Sequence, residues 1–233
     1  MGQAVTRKTV ADNNSQGKTP RPNLLAGEDL LPQPKQKRSL AKRARLKAAA
    51  LALFGEKGYE GTSVEEIAKR ANLAMGSFYQ HYRSKRQLLL ALMHELLEHL
   101  NRLELRLRGT EDIRTGLREL LSHAFATDLR YLGAYRAWQE AVLSDAELAQ
   151  KQQEVHSWTT GRVLAVFKLL QQVPGARREV DIVALARVMD SFFWNLLAQV
   201  LQLSKMELNP WIEAATHLIY HALFTDLLKQ DPH

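Results

Sequence analysis

Residues 71–86 of the chain read ANLAMGSFYQHYRSKR. Within this stretch Phe78 and Tyr82 are four residues apart, so a helix would place both rings on one face. The other positions are mostly small or polar and include a glycine, whereas an ordinary solvated helix face would carry Glu, Lys and Ala. The pattern therefore predicts a short helix that packs through its two aromatic rings and presents a second face to a partner.

Two further helices are predicted before this stretch, at about residues 39–57 and 64–71. The first carries apolar residues at helical spacing and ends where two glycines follow. The second begins after GTSVEE, in which Thr or Ser can cap the helix and a Glu three residues later can complete a capping box. It ends at Asn72, a residue type that tolerates the positive φ of a tight turn. Three helices with a short turn between the last two form a helix-turn-helix domain, so the second face is predicted to contact DNA.

Charge is distributed unevenly along the chain. The net charge is +7, and residues 35–86 contain thirteen Lys and Arg against four Asp and Glu, whereas residues 87–233 contain fifteen against eighteen. A basic segment is more often a solvated face than a binding site, but this one coincides with the helix-turn-helix. The coincidence favours double-stranded DNA as a partner.

The sequence GTSVEEIAKRANLAMGSFYQHYRSKRQLL at residues 61–89 is more specific. Its elements Thr-x-x-x-x-Ile-Ala, Gly-Ser-Phe-Tyr-x-His-Tyr and Ser-Lys-x-x-Leu-Leu closely resemble the TetR family of bacterial transcriptional regulators, over about residues 39–90. Asn72 and Ala74 depart from the pattern, since the family usually has Gly and Ser there. Asn can adopt the same backbone conformation, whereas Ala removes a possible cap and phosphate donor.

By position in the motif, the resemblance implies ten DNA-contacting residues: Thr62, Ser63, Val64, Met75, Gly76, Ser77, Tyr79, Gln80, His81 and Lys85. The first three, at the start of the second helix, should meet phosphates, partly through backbone amides. The next three and Gln80 should face base edges, with adenine a natural partner of Gln80. Tyr79, His81 and Lys85 should contact phosphates. The basic residues Lys35, Lys37, Arg38, Lys42 and Arg43 are either further DNA contacts or part of a solubilising arm.

The rest of the chain is predicted to be helical, because no segment alternates with period two over a useful length. Helices are expected at about residues 84–108, 112–132, 134–143, 144–173, 179–203 and 210–229, capped in three cases by Ser84, Ser144 and Asn209, with Gln87 and Glu147 completing capping boxes. The predicted fold is all-α, with about nine helices in two domains. Residues 1–38 are expected to be a disordered basic tail, residues 39–86 the DNA-binding domain and residues 87–233 a ligand-binding and dimerisation domain.

The last two predicted helices are apolar over a wide arc, which indicates burial on two sides. The resemblance implies that they pair with their copies in a homodimer, whose two-fold symmetry would match a palindromic operator. They can also fill the core of their own domain, and the two roles are compatible.

Aromatic residues concentrate in the carboxy-terminal domain, where such residues more often form core than a ligand site. The resemblance implies a cavity for a small molecule, and the residues expected to line it are Phe125, Trp138, Trp158, Phe193, Trp194 and Asn195. Polar groups that could orient a ligand are Arg136, Glu140, His156, Asp190 and Asn195.

Several classes of protein are disfavoured. The chain has no cysteine, so disulfides and thiolate chemistry are excluded. It contains no Gly-rich phosphate loop, Gly-x-Ser-x-Gly motif or His-Glu-x-x-His motif, so we expect neither enzyme activity nor a cofactor. His217 and His221 are spaced to share a metal, but the sequence suggests no third ligand, and we expect no metal site. No secretory signal or membrane-spanning run is recognised, and we expect a cytoplasmic protein.

The sequence therefore predicts a homodimeric repressor that leaves its operator when a small apolar or aromatic ligand binds. A ligand that acts as corepressor, and activation in place of repression, stay open at this point, and so do two other classes of protein. One is a ligand-independent architectural DNA-binding protein, which would lack an open cavity. The other is an α-helical enzyme that acts on small molecules and has an incidental basic face.

Overall fold

The computed structural model describes residues 20–32, 35–103, 113–200 and 208–224. The all-α prediction is confirmed, since these ranges form nine helices and one isolated β-bridge, between Ala176 and Phe224. The helices are α1 Lys37–Lys57, α2 Val64–Arg70, α3 Met75–Tyr79, α4 Lys85–Asn101, α5 Ile113–Arg130, α6 Leu132–Ala141, α7 Ala146–Leu170, α8 Ile182–Val200 and α9 Leu208–Leu223. Within the described ranges, no helix is both long and apolar enough to span a bilayer.

Helices α1 to α3, which we call the head, are organised by two local signals. The Ser63 hydroxyl accepts from the Glu66 amide at 3.2 Å, and the Glu66 carboxylate accepts from the Ser63 amide at 3.1 Å, which closes a capping box. Asn72 has a φ of 51°, and the Leu73 amide then donates to the Ala68 carbonyl at 2.9 Å. Both signals follow the sequence prediction, and they set α3 at an angle to α2.

Two aromatic rings hold the five-residue helix α3 against the rest of the head. Phe78 and Tyr82 are 0% and 1% exposed, and their ring centroids lie 5.9 Å apart. The Arg43 Nε donates to the Tyr82 hydroxyl at 3.1 Å, which ties α1 to the turn after α3. Phe54 and Ile67, fully buried on α1 and α2, complete this core. The packing face predicted for residues 71–86 is confirmed.

Helices α1 and α6 cross with glycines at the contact. A Cβ atom on Gly133 would lie 1.9 Å from the Leu51 carbonyl oxygen and 2.9 Å from the Gly55 nitrogen. Arg136 of α6 also donates to the Gly55 carbonyl at 2.7 Å. One cluster of buried residues extends from the head through α4 and α6 to α7, so head and α6 share a core.

Residues 20–32 form an ordered segment, here called the strap, that packs on α4 and α7. Leu24 is fully buried in the shared core. Glu28 pairs with Arg86 of α4. Lys151 of α7 donates to a strap carbonyl oxygen at 3.2 Å. The strap therefore connects two helices that are distant in sequence.

The strap differs from the disordered tail predicted for residues 1–38. The composition of this region indicates disorder because it contains few apolar residues, but one fully buried leucine and a set of ion pairs are enough to order the strap. Helix α1 begins at Lys37, so the end of the predicted tail is also helical. Residues 1–19 of that tail lie outside the described residues.

A second cluster of buried residues fills the carboxy-terminal half. Helix α5 packs against α9, and α7 packs against α8. Buried residues of all four helices meet there, among them Phe125, Phe167, Leu196 and Ile219. The apolar arcs of the last two helices thus contribute to the core of their own half.

Several helix ends differ from the predicted ones. Helix α4 ends at Asn101 instead of residue 108, and the glycine expected to end it lies in the undescribed range 104–112. Asp145, not Ser144, caps α7, because its carboxylate accepts from the amides of the next helical turn at 3.0 and 3.1 Å. A carboxylate is acceptor-only and suits this position at least as well as a hydroxyl.

The starts of the last two helices, α8 and α9, also differ from the predicted ones. Asp181 accepts from the amides of Val183 and Ala184 at 3.0 Å, at the start of α8. Asn209, the predicted cap of the last helix, lies inside α9, which begins at Leu208. The predicted end of that helix, near residue 229, lies outside the described residues.

Candidate DNA-binding surface and ligand cavity

The exposed face of α3 and the following residue carry four of the predicted DNA contacts. Met75 is 42% and Tyr79 is 44% exposed, and Gly76 and Gln80 are exposed as well. A Cβ atom on Gly76 would have no neighbour within 4 Å, so the backbone there is open to close approach. This face lies opposite the buried ring of Phe78 and is free to enter a DNA groove.

Ser77 and His81 are placed differently from these four residues. The Ser77 hydroxyl oxygen and the His81 Nε2 atom are buried without a hydrogen-bond partner among the described residues. His81 is 8% exposed, and burial, together with the positive charges of Arg43 and Lys42, lowers the pKa of its imidazole. His81, which was predicted to contact a phosphate, faces the core instead, because α3 ends at Tyr79 and the turn that follows directs residue 81 inward.

The hydroxyl groups at the start of α2 are used within the head. Thr62 is 2% exposed, and its Oγ1 donates to the Gly58 carbonyl at 2.7 Å. The Ser63 hydroxyl belongs to the capping box, and the Val64 side chain is half-buried. The amide of Glu66 is also used in the capping box. The groups that α2 can offer to a phosphate are therefore the backbone amides of Val64 and Glu65, for which a helix start provides no carbonyl partner.

Lys85 contacts Tyr59. Its Nζ donates to the Tyr59 carbonyl at 2.6 Å and lies 4.1 Å from the centroid of that ring, and burial lowers the pKa of the ammonium. A phosphate contact by Lys85 therefore requires the ammonium to leave these partners. Ser84 caps α4 as predicted, but the Gln87 Oε1 accepts from the Arg83 amide at 2.9 Å, so the predicted capping box is not closed.

Ion pairs neutralise part of the positive charge of residues 35–86. Lys47, Lys57, Arg70, Arg83 and Arg86 each pair with a carboxylate. Six other basic residues form no ion pair with the described part of the chain and lie on α1 or just before it: Lys35, Lys37, Arg38, Lys42, Arg43 and Arg45. Positive charge therefore concentrates at the amino-terminal half of α1, beside α3.

A cavity of about 190 Å³ lies between α4, α5, α7 and α8. Four of the six predicted pocket residues line it: Phe125, Trp158, Phe193 and Trp194. The cavity wall also includes three residues that were not predicted from the sequence: Leu96, Leu97 and Leu100 of α4. The available signal was the apolar run LLLALM at residues 88–93 with two more leucines after it, which is too wide for one packed face.

Trp138 and Asn195, the other two predicted pocket residues, do not line the cavity. Trp138 is fully buried in the core shared by the head and α6. Asn195 is exposed on α8, and its Nδ2 donates to the Ser191 carbonyl at 2.9 Å. These two predictions are wrong because aromatic or polar character does not say which face of a helix meets the cavity, and α8 turns Phe193 and Leu197 inward instead.

The polar side chains of the cavity wall include Thr159, Arg162 and Asp190. Asp190 is 6% exposed and accepts from the Thr160 Oγ1 at 2.8 Å. Burial raises the pKa of the Asp190 carboxyl, although the hydrogen bonds that it accepts act in the opposite direction. The wall is otherwise largely apolar and aromatic.

The other polar groups predicted to orient a ligand have structural contacts elsewhere. Arg136 and Glu140 lie at the crossing of α1 and α6, where the Glu140 carboxylate accepts from the Tyr59 amide at 2.6 Å. His156 packs its ring against Trp194, with 4.5 Å between centroids, and burial lowers the pKa of its imidazole.

Helices α8 and α9 each leave a strip of residues exposed. On α8 the strip contains Ala184, Val188, Ser191 and Asn195, of which Val188 is 64% exposed. On α9, Leu218 is 55% exposed. Exposed apolar residues at helical spacing mark a candidate surface for contact with another protein.

His217 and His221 lie with ring centroids 4.1 Å apart on α9. Among the described residues, no group of three or more potential metal ligands comes together.

Residues 46–92 match the model of the family described as bacterial regulatory proteins, tetR family. The uncharacterized HTH-type transcriptional regulator YvdT of Bacillus subtilis is 34% identical over 96 residues, which are 41% of this chain and 50% of that protein. A TetR family transcriptional regulator from Pseudomonas syringae pv. tomato has a similar structure, with a TM-score of 0.56 at 24% identity over 80% of this chain and 96% of that one. The SmeT–triclosan complex gives a TM-score of 0.62 at 22% identity over 80% of this chain and 93% of that one.

The resemblance to the TetR family is therefore confirmed. Residues 46–92 form a TetR-family helix-turn-helix domain, and the chain has the all-α fold of the regulators of this family. The chain spans half the length of the Bacillus subtilis relative that it matches.

Proposed function

We propose that the protein is a homodimeric transcriptional regulator, in the form of a repressor that releases a palindromic operator when a small apolar or aromatic ligand enters the cavity. The observation that carries this proposal is the path of α4. Its residues Leu88 and Leu89 are buried in the core shared with the head, and its residues Leu96 and Leu97 line the cavity. A ligand that displaces the end of α4 would therefore move the head.

The proposed mechanism is a shift between two conformations. Two α3 helices of a dimer can enter successive major grooves only when they are about 34 Å apart. A ligand that binds better to a conformation with another spacing would lower operator affinity, and the decrease equals its differential affinity for the two conformations. The solved structure of SmeT contains triclosan, which supports a small molecule as the ligand of this fold.

The DNA contacts that we propose lie on the exposed face of α3 and at the start of α1. Tyr79 and Gln80 are the strongest side-chain candidates, because both are exposed and both can donate and accept hydrogen bonds. The basic residues of α1 would contact phosphates beside them. The exposed strips of α8 and α9 would form the dimer interface, and such a regulator would work in the cytoplasm.

Binding to the DNA immediately upstream of the protein's own coding sequence tests the proposal. The full-length protein and a Tyr79→Ala, Gln80→Ala double variant are compared at a low and a high salt concentration. We expect the wild type to bind a palindrome tightly and with a steep salt dependence, and the double variant to bind at least about tenfold more weakly. Gln153→Ala, an exposed change on α7, is the matched control and should bind as the wild type does.

Equal and weak binding to all DNA sequences by the wild type and the double variant would contradict the proposal. It would show that the basic surface of the head is nonspecific and that α3 reads no base sequence.

A further inference from the structure

Asp190 is a buried carboxylate in the wall of a cavity that is lined mainly by apolar and aromatic side chains. It lies on α8, is 6% exposed and lines the same space as the aromatic residues. Burying a carboxylate is costly unless a cation or several hydrogen bonds compensate for the lost water. The groups that the protein itself places around the Asp190 carboxylate therefore indicate which interaction a ligand could add.

The partners that the structure provides for Asp190 are neutral. The Thr160 hydroxyl donates to its Oδ2 atom at 2.8 Å, and the side chains of Thr159 and Trp194 are further hydrogen-bond partners of the carboxyl. The Trp194 indole also donates to the Thr159 hydroxyl at 3.2 Å. No lysine or arginine in the described ranges forms an ion pair with Asp190. Burial raises the pKa of its carboxyl, although these hydrogen bonds and the charge of His156 act in the opposite direction.

Two basic groups lie near the cavity, and neither takes the role of counter-ion. Arg162 donates to the Leu103 carbonyl at 2.7 Å, and its guanidinium lies 5.4 Å from the ring centroid of Trp158. His156 packs against Trp194, and burial lowers the pKa of its imidazole, although the charge of Asp190 acts in the opposite direction. Neither side chain forms an ion pair with the Asp190 carboxylate within the described ranges.

Aromatic rings line the cavity that contains the Asp190 carboxylate. Tyr135, Trp158, Phe193 and Trp194 line the same cavity, and the faces of such rings attract positive charge. The volume of about 190 Å³ lies below the usual range for drug-sized ligands, so the occupant would be small.

We propose that the cavity binds a small aromatic cation, such as a protonated amine, whose charge pairs with Asp190 and whose rings pack against Trp158 and Trp194. The inference rests on the proposed ligand-responsive function and adds the charge of the ligand to it. An aromatic group alone would fill the cavity, but it would leave the Asp190 carboxylate without a counter-charge. A cation compensates for that burial and therefore binds more tightly than a neutral molecule of the same shape.

The test uses three probes of one shape and different charge: naphthylmethylamine, naphthylmethanol and naphthoate. Their affinities for the full-length protein without DNA are measured by isothermal titration calorimetry at neutral pH. We expect the amine to bind about tenfold or more tightly than the alcohol, since hydrogen bonds to charged groups are stronger than those between neutral groups, and the carboxylate to bind most weakly. Asp190→Asn keeps the shape of the side chain and should bind the amine and the alcohol equally.

Two results would overturn the proposal. The first is a wild type that binds the alcohol as tightly as the amine, or that binds no amine at all. The second is an Asp190→Asn variant that folds and keeps the preference for the amine. The comparison within the wild type decides the question even if the variant fails to fold.

The same amine is then added to the complex of the protein with its upstream DNA. Binding of the amine without release of DNA would contradict the ligand-responsive function and leave the cation site intact. Release of DNA by the alcohol and the amine at equal affinity would support the function and contradict the cation site.

Discussion

At the scale of single residues, Gly133 and Gly76 are a matched pair of glycines in different surroundings. A Cβ atom on Gly133 would lie 1.9 Å from the Leu51 carbonyl oxygen, whereas one on Gly76 would meet nothing within 4 Å. Gly133→Ala should therefore lower the free energy of unfolding by about 1–3 kcal/mol, because α1 and α6 must separate. Gly76→Ala should leave it unchanged or raise it by up to about 1 kcal/mol, since alanine favours helix. Urea denaturation of both variants measures the difference.

The same two glycines distinguish an effect on stability from an effect on DNA binding. Gly76→Ala places a methyl group on the surface proposed to approach DNA, so it should weaken operator binding while stability is retained. A Gly133→Ala protein as stable as the wild type would show that the crossing of the two helices is looser than the structure indicates.

His81 should make stability depend on pH. Burial lowers the pKa of its imidazole in the folded protein below the ordinary value of 6.5, so the unfolded chain binds the proton first as the pH falls. The free energy of unfolding should therefore decrease as the pH falls through about 6.5 towards the lowered pKa, and the decrease should be smaller in His81→Gln. Burial lowers the pKa values of His94 and His156 too, so these residues should also decrease the free energy of unfolding as the pH falls. Part of the pH dependence should therefore persist in His81→Gln.

The control for this measurement is Gln153→Ala, which changes an exposed residue of α7 and should keep the wild-type slope. Urea denaturation across this pH range measures the slope of the free energy of unfolding against pH. Identical slopes for the wild type and His81→Gln would mean that the folded protein protonates His81 as easily as the unfolded chain does.

Residue-level predictions from sequence succeeded where the cause is local. Ser63 and Asn72 were predicted because a capping box and a positive φ involve only a few neighbouring residues. The placements of Trp138 and Asn195 failed because each depends on where another helix lies, and side-chain type carries no information about that. The placement of His81 failed because the end of α3 at Tyr79 was not predicted. Asp190 was named as a polar candidate, but its burial is visible only in the packed structure.

At the scale of the element, the strap depends on one leucine. Leu24 is fully buried in the shared core, whereas Leu30 in the same segment is 51% exposed. Leu24→Ala should therefore lower the free energy of unfolding by about 2–5 kcal/mol, and Leu30→Ala should change it by less than about 0.5 kcal/mol. Chemical denaturation followed by circular dichroism distinguishes them. Equal and small effects would mean that the strap is not docked on α4 and α7 in solution.

The existence of the helices was predictable from the sequence, but several of their ends were not. Helical spacing of apolar residues identified the longer of the described helices, whereas the capping box and the ring pair of Phe78 and Tyr82 identified α2 and α3. The cap of α7 could not be chosen by pattern, because Ser144 and Asp145 are adjacent and both residue types cap helices. The strap was missed for a related reason: its order comes from side chains of α4 and α7 that lie far away in sequence.

At the scale of the whole molecule, the proposed dimer depends on the exposed strip of α8. Val188 is 64% exposed at the centre of that strip, and Val188→Glu would place two like charges in a two-fold interface. We expect this variant to be monomeric by size-exclusion chromatography with light scattering and to lose tight operator binding. Leu143→Glu, at a position 87% exposed in the turn between α6 and α7, is the control and should stay dimeric. A dimeric Val188→Glu protein would show that the dimer interface lies on another surface of the molecule.

The crossing of α1 and α6 at two glycines limits how such a regulator can acquire a new DNA specificity. Transplanting the head of a relative would set a foreign α1 against this α6, at a contact where a Cβ atom on Gly133 would lie 1.9 Å from the Leu51 carbonyl oxygen. A hybrid would therefore have to inherit both helices from one parent. Changes confined to the outer face of α3 meet no such restriction, so descendants of this protein would change their DNA target by point substitution there, not by recombination of whole domains.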